Sequence, residues 1–501
     1  MPLIGARIGN DSRRISAESS GLPENRLGLA IKVLYGVGEI GSSIRLVVFG
    51  LFIFFFYTSV LGLPGSLVAA AQVVGLVWNA IVDPYIGHLS DRTVFWLGRR
   101  HGFMIVGAAT SGLSFWLLFS PPPGLSTWLL FGWLLMTSLA VRFVSSLFAI
   151  PYHALGAELT SDVAERNSVS GIRGACGLIG LLLSAALVFR VFFPNVAVGV
   201  DPKLDNLRYP VMGLTFGIIM SGIQLVSIIS TLGLRHRLVM VKVPNSGMRE
   251  FVDGLALSLK GPAFRSLVAA TTLLFLGLAV NSLLFVHFLT FYVQVSDSNQ
   301  LSLVQVAFYG SATLAVPVWL RVLKWVEKRW LFFGATMSTA LIMVAARVLV
   351  GPGHTFGTGD VRPLIVGEAI AGFFASLYFI LPASMMADVA DADELLSGRR
   401  REGTLFGMSS FAEQVAGGVA VLAVGFLLDN FAGLVPGQAL QASLTIERIG
   451  IMYGVVPAVA LFFAGVAILF YPLDRHSLIE IQTRQSSRTF VNAAIDVPAE
   501  A

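Results

Sequence analysis

Apolar runs long enough to cross a bilayer recur along the chain, separated by short polar connections. They lie near 29–59, 66–89, 102–120, 126–155, 168–192 and 209–234, then near 265–293, 300–325, 330–350, 363–388, 403–429 and 447–472. A membrane helix needs about 20 predominantly apolar residues, so the pattern predicts twelve spans and an all-α integral membrane protein. Several runs contain Gly and Pro, which a bundle tolerates when neighbouring helices satisfy the freed backbone groups. The opening stretch 1–26 carries Arg13-Arg14 and a Ser-rich segment without an apolar core. It predicts a polar tail rather than a secretory leader, and the stretch after Arg475 reads the same way.

The longest polar connection divides the spans six and six. It predicts five regions: a tail over 1–26, a six-helix bundle over 27–234, a central loop over 235–264, a second six-helix bundle over 265–472, and a tail over 473–501. Within the loop, Phe251, Leu255 and Leu259 recur at nearly helical spacing, which predicts a short amphipathic helix over 248–259 lying on the membrane surface.

Composition sharpens this picture by exclusion. The chain has 501 residues, 55% hydrophobic and only 13% charged, against about 25% charged in soluble domains. Three soluble domains, which the length alone would suggest, could not be clothed. The single cysteine, Cys176, cannot form an internal disulfide. The net charge of +5 gathers in short clusters between apolar runs and forms no continuous stripe, so a nucleic-acid partner is not expected. With both tails on the cytoplasmic side, nearly all Lys and Arg outside the spans fall on that side. Arg190, Lys203, Arg208, Arg347, Arg362 and Arg448 are the exceptions. That asymmetry is what the positive-inside rule describes.

Enzyme chemistry finds no support. His88, His101 and His153 are dispersed and lack zinc-ligand spacing, and no phosphate-binding loop of the Gly-x-x-x-x-Gly-Lys-Ser/Thr kind occurs. Charged groups inside the spans are more informative, because they face a cavity or a partner. Glu39 and Arg45 fall on span one, Asp83 on span two with Asn79 one turn earlier, Arg142 on span four, Arg173 on span five and Glu413 on span eleven. Glu39, Arg173 and Glu413 are the leading cavity candidates, with a structural salt-bridge network as the competing reading. Acids and arginines gather after spans two, four and ten. Asp91, Arg92, Arg99, Arg100, Glu158, Asp388 and Arg400 are therefore candidates for a cytoplasmic gate between the bundles. The end of span four (Pro151, Glu158, Arg166) and that of span ten (Pro382, Asp388, Arg399 to Arg401) repeat weakly. That is the mark of parallel six-span halves with a site near the midplane, the major facilitator organisation.

The stretch Asp83-Pro84-Tyr85-Ile86-Gly87-His88-Leu89-Ser90-Asp91-Arg92-Thr93, closed by Gly98-Arg99-Arg100, resembles the glycoside–pentoside–hexuronide cation symporters, the family of melibiose permease in the major facilitator superfamily. Tyr35-Gly36-Val37-Gly38, Ile150-Pro151-Tyr152, Glu165-Arg166 with Arg173, and Arg400-Arg401-Glu402-Gly403 with Phe406-Gly407 continue the resemblance over about residues 27 to 475. It implies two pseudo-symmetric six-helix bundles and transport of a sugar, glycoside or uronide by alternating access, coupled to H+ or Na+. It implies no other cofactor, a monomer in the bilayer, and a bacterial inner membrane.

The functional positions carry over unevenly. The resemblance implies two cation-binding acids one turn apart on span two, which here are Asn79 and Asp83, with any Na+ held at Asp83. The acid before Ile-Pro on span four falls on Ala149, and the sugar-binding acid of span one falls near Ser43. The basic residue of span five is kept as Arg173, and the lysine of span eleven aligns with Gln414, next to Glu413. Substrate-binding candidates are therefore Glu39, Ser43, Tyr152, Arg173, Glu413 and Gln414. Loss of the acids at Ala149 and Ser43 keeps a lysophospholipid or other amphiphile as an alternative substrate, and a non-transporting sensor or scaffold as a third reading. Asp83 alone is a weaker sodium site than a paired one, and a lone intramembrane carboxylate can also work by taking up a proton.

Overall fold

The computed structural model describes residues 27–93, 98–160, 162–194, 201–234, 261–397 and 402–478, with 480, 481 and 483. The expected amphipathic helix over 248–259 and the gate candidate Arg400 lie outside the described residues. The helices are α1 (Leu29–Phe55), α2 (Gly65–Arg92), α3 (His101–Leu118), α4 (Thr127–Glu158), α5 (Val163–Phe192) and α6 (Arg208–Leu232), then α7 (Pro262–His287), α8 (Ser298–Val322), α9 (Lys328–Leu349), α10 (Arg362–Ser397), α11 (Glu402–Phe426), α12 (Ser443–Gly454) and α13 (Val456–Leu469). Among the described residues, twelve helical stretches are long and apolar enough to cross a membrane. The last comprises α12 and α13, joined at Val455 just before Pro457, whose ring nitrogen has no hydrogen to donate to the preceding turn.

Local chemistry sets the helix ends. Asp162 accepts the N–H of Ala164 at the start of α5, and Asp297 that of Asn299 at the start of α8, each satisfying an orphan donor of the first turn. Proline lies inside α2 (Pro84), α4 (Pro151), α8 (Pro317) and α10 (Pro382). These are the second and fourth helices of each group of six, so the kink-forming residues follow the repeat. α10 runs on to Ser397, past the expected end near 388. The acidic residues from Asp388 onward form its last turns, where solvent can hydrate them.

α1 packs on α5 and α6, α3 on α4 and α6, and α2 on α4. In the second group α7 packs on α11 and α13, α8 on α10, and α9 on α10 and α13. Among the described residues the main helix pairs across the seam are α1 with α7, α2 with α11, and α5 with α8. The face at which α1 begins and α13 ends is called the tail face below, and the opposite one the far face. One apolar core around Phe52, Phe55, Leu284, Phe288 and Val424 runs through both bundles toward the far face. Toward the tail face the cores are separate, one around Tyr35, Met104 and Tyr152 and another around Leu267, Phe332 and Leu381. The bundles are joined at the far face and part toward the tail face.

Candidate functional site

The seam at the far face is closed by polar contacts to backbone. Asp429 accepts the N–H groups of Gly65 (2.8 Å) and Ser66 (2.7 Å) at the start of α2. Lys203, in the α5–α6 connection, donates to the carbonyl of Val295 at 2.6 Å and pairs with Asp201 at 2.9 Å. Gly437 N–H donates to the carbonyl of Thr58 at 3.0 Å, the Ser298 hydroxyl donates to the carbonyl of Phe193, and His287 meets the hydroxyl of Thr58 at 3.0 Å. α1, α7 and α11 each end here in a π-turn, over Phe56–Val60, Phe288–Tyr292 and Leu427–Ala432. Such turns shift the register of side chains and occur often at functional sites.

Where the bundles part, the charged residues of the first bundle gather in two neighbouring groups. In one, Glu39 on α1 lies 3.3 Å from His153 on α4 and 3.7 Å from Arg173 on α5. These side chains are 22%, 48% and 27% exposed although each lies within a spanning helix, as expected of a water-accessible opening. In the other, the Ser146 hydroxyl donates to Asp83. Arg142, one turn before Ser146, donates to Gln72 at 3.1 Å and lies over the Phe49 ring at 5.4 Å. Gln72 in turn donates to Ser138 at 3.2 Å. Arg45 lies within electrostatic reach of both Asp83 and Glu39 and links the groups. Asn79 Oδ1 and Arg142 Nε are buried without a hydrogen-bond partner, and the Arg142 guanidinium packs closely on α2 at Gly75, where a Cβ would meet Nε at 2.5 Å.

Two substrate candidates are engaged with neighbouring helices. Ser43 is buried with its hydroxyl donating to the carbonyl of Gly177 at 2.9 Å, which pins α1 to α5. Tyr152 is fully buried, and its hydroxyl donates to the carbonyl of Tyr35 (2.9 Å) while Tyr35 donates to the carbonyl of Tyr152 (2.7 Å). The two rings stack at 4.6 Å, so Tyr152 locks α1 against α4. Gly38 allows this approach, because a Cβ there would meet the Tyr152 ring at 3.0 Å and the Ser227 hydroxyl at 2.8 Å. In the second bundle Glu413 accepts from Ser409 at 3.2 Å, and Gln414 is exposed. His153, Arg45 and Arg142 join the site more closely than expected. Ser146 and Gln72 were not foreseen, although Ser146 falls one turn after Arg142 and Gln72 falls two turns before Asn79 on one helix face.

The gate candidates assemble within each bundle. Arg99 and Arg100 both donate to Glu158, at 2.6 and 2.8 Å, and Arg100 also pairs with Asp91 at 2.6 Å. This ties the ends of α2 and α4 to the start of α3, while Arg92 stays exposed. In the second bundle Lys328 at the start of α9 pairs with Asp388 on α10 at 2.6 Å, the counterpart of Arg100 with Glu158. These pairs join helices of the same bundle and leave the seam unbridged by them.

The family model for MFS/sugar transport proteins matches residues 34–475. The chain belongs to that family. Among its relatives are an uncharacterized symporter of Synechocystis, 25% identical over 94% of this chain and 99% of that protein, and the sodium-dependent lysophosphatidylcholine symporter 1-B of Danio rerio, 23% identical over 94% and 90%. The sphingosine-1-phosphate transporter of Mus musculus is 25% identical over 89% of each chain. A bacterial homolog of the human lysosomal transporter Spinster, solved in an inward-facing and unoccupied conformation, superposes with a TM-score of 0.60 at 15% identity, covering 88% of this chain and 96% of that one. A mutant of the nucleoside transporter NupG superposes with a TM-score of 0.59 at 15% identity, covering 88% of this chain and 99% of that one. These likenesses establish the major facilitator fold, and family and fold are those of membrane transporters.

Proposed function

We propose that the chain is a proton-coupled symporter for an organic anion, a uronide or an acid-bearing amphiphile, working by alternating access. The observation that carries this is the charge of the site: among the described residues, the acids set against Arg45, Arg142 and Arg173 are Glu39 and Asp83. Guanidinium groups stay charged, and an unneutralised charge inside a membrane is costly. A substrate carboxylate or phosphate would compensate the surplus. The neighbouring guanidiniums also disfavour a sodium ion at Asp83, whereas a carboxylate beside a serine hydroxyl can take up and release a proton.

Taking the tail face as cytoplasmic, on the asymmetry of basic residues, gives an inward-facing conformation with the outer gate shut. The resemblance to glycoside–pentoside–hexuronide symporters favours a uronide among sugars. A second reading, an acid-bearing lysolipid, is favoured by the burial of Ser43 and Tyr152, which leaves the site short of the groups that would hold sugar hydroxyls. Counterflow in proteoliposomes tests both, because it needs alternating access but no ion gradient. A labelled panel of uronides, neutral glycosides, lysophospholipids and sphingosine phosphate should show exchange of an acid-bearing class. Exchange of neutral glycosides alone would overturn the anion reading, and uptake driven by a sodium gradient but not by a pH step would overturn the coupling.

A further inference from the structure

The second bundle holds an acid that the site described above does not use. Glu368 lies less than two turns inside the far end of α10. It lines a cleft of about 700 Å³ between α9 and α10, whose other walls include Ile342, Ala346 and Leu349, with Asp360 and Arg362 at the end toward the far face. No ion pair to Glu368 occurs among the described residues. Asp360 and Arg362 are paired with each other at 2.8 Å, and Arg347 on α9 is paired with Glu447 on α12 at 3.3 Å. The groups that face Glu368 are neutral: Tyr453 on α12, whose hydroxyl is 3.5 Å away, Tyr309 on α8, and Asn281 on α7, which reaches it through Tyr453. A contact of 3.5 Å is at the limit of a hydrogen bond. The carboxyl is therefore an intramembrane acid with neither a cation nor a close donor, an arrangement retained where the group has a task.

We propose that Glu368 is a proton-carrying site of the second bundle, loaded from the far face through the α9–α10 cleft. Protonation converts the carboxylate to a neutral acid and needs no partner beyond the proton itself. The consequence can reach the seam through packed groups. Tyr453 stacks on Phe288 at 3.9 Å with an interplanar angle of 11°. Phe288 begins the π-turn at the end of α7, directly after His287, which meets Thr58 of the first bundle at 3.0 Å. A carboxylate would draw the Tyr453 hydroxyl inward, while a protonated acid would release it, so proton occupancy acts on the stack that backs the outer gate.

The inference rests on the reading of the chain as proton-coupled, and the first test reads Glu368 whether or not coupling occurs. Dicyclohexylcarbodiimide is apolar and reacts with protonated carboxyl groups. The full chain in proteoliposomes, treated at neutral pH and mapped by peptide mass spectrometry, should carry the adduct on Glu368, with severalfold less adduct in alkaline buffer. Label confined to Asp83, Glu39 or Glu413, label on Glu368 indifferent to pH, or no label on protein that transports would each overturn the proposal. Glu368→Gln keeps the size and polarity of the side chain, so it should fold, and its uptake should vary severalfold less with external pH than that of the wild type. An unchanged pH profile in Glu368→Gln would also overturn it, even if counterflow upheld the anion reading.

Discussion

Asp429 at the end of α11 reaches across the seam and accepts the backbone N–H of Gly65 at 2.8 Å and that of Ser66 at 2.7 Å. A carboxylate from one bundle thus caps the first turn of a helix in the other, where exposed N–H groups and the helix dipole favour negative charge. Because the cap joins the two bundles across the seam, opening of the far face would break it. Loss of an N-cap costs about 1 kcal/mol, so Asp429→Ala should move the closed-to-open equilibrium about fivefold toward opening. Spin-label distances between α2 and α11 at the far face would lengthen; an unaltered distribution would remove Asp429 from the gate.

The same closure needs glycine at 425. A Cβ there would meet the Gly65 carbonyl oxygen at 2.5 Å and the Ala69 Cβ at 2.6 Å, whereas a Cβ on Gly417, two turns away on α11, meets nothing. Overpacking costs about 1–3 kcal/mol. Gly425→Ala should therefore hold the far face ajar and lower transport several-fold to about a hundredfold, while Gly417→Ala leaves it near the wild-type rate. Equal effects of the two substitutions would show that helix propensity, and not the seam, is responsible.

Lys203 should make closure of the far face sensitive to pH. It is fully buried, donates to the carbonyl of Val295 and pairs with Asp201. Burial pushes its ammonium below the usual lysine range, with the Asp201 charge opposing the shift. In an open gate the same group would stand in water at its ordinary value. Between the two values the open state binds more protons, so closure gains stability as pH rises through that interval, and at lower pH the gain is absent. Raising the pH toward the lysine range should shorten far-face distances, and Lys203→Met should remove that dependence. Opening at alkaline pH would contradict the sign.

At the tail face Glu158 holds two guanidiniums with a side chain only 4% exposed, and that of Arg100 is 6% exposed. Removing one partner of a buried pair costs about 3–5 kcal/mol, because a charge is left uncompensated. Glu158→Gln should therefore unfold at clearly lower temperature in detergent. Asp388→Asn should cost less, since its partner Lys328 is 28% exposed and water screens what remains. A smaller loss for Glu158→Gln than for Asp388→Asn would mean that the first cluster is not the firmer one.

Much of the fold was legible because a bilayer converts apolar length directly into spans, and helices too apolar for water left little alternative. The intramembrane charges were legible for the same reason: Glu39, Asp83 and Arg173 stand out against apolar neighbours, and the structure gathers Glu39 with Arg173. What a helix face does with an uncharged polar residue was not legible. Ser43 and Tyr152 turn toward neighbouring helices and bond to carbonyls, a choice that depends on rotation angles no single run reveals. The far-face seam was hidden for a related reason. Asp429 and Lys203 engage backbone groups on distant helices, and a backbone N–H or C=O leaves no mark in the sequence.

Arg142 offers the sharpest test of the central site. Its guanidinium donates to Gln72, lies over Phe49 and leaves Nε unpaired, with Ser146 and Asp83 one turn further along α4 and across on α2. If the substrate brings an acid to this group, a charge-assisted hydrogen bond worth about 1.5–3 kcal/mol is formed only when substrate is bound. Arg142→Gln should then weaken the half-saturating concentration in counterflow by about ten- to a hundredfold for an acid-bearing solute. The amide of the same substrate should bind equally poorly to wild type and variant. Asp83→Asn, which removes a carboxylate without touching that contact, should keep counterflow but abolish uphill uptake driven by a pH step. Were Arg142 only a structural partner of Asp83, both substitutions would damage counterflow alike, and the acid and its amide would be affected together.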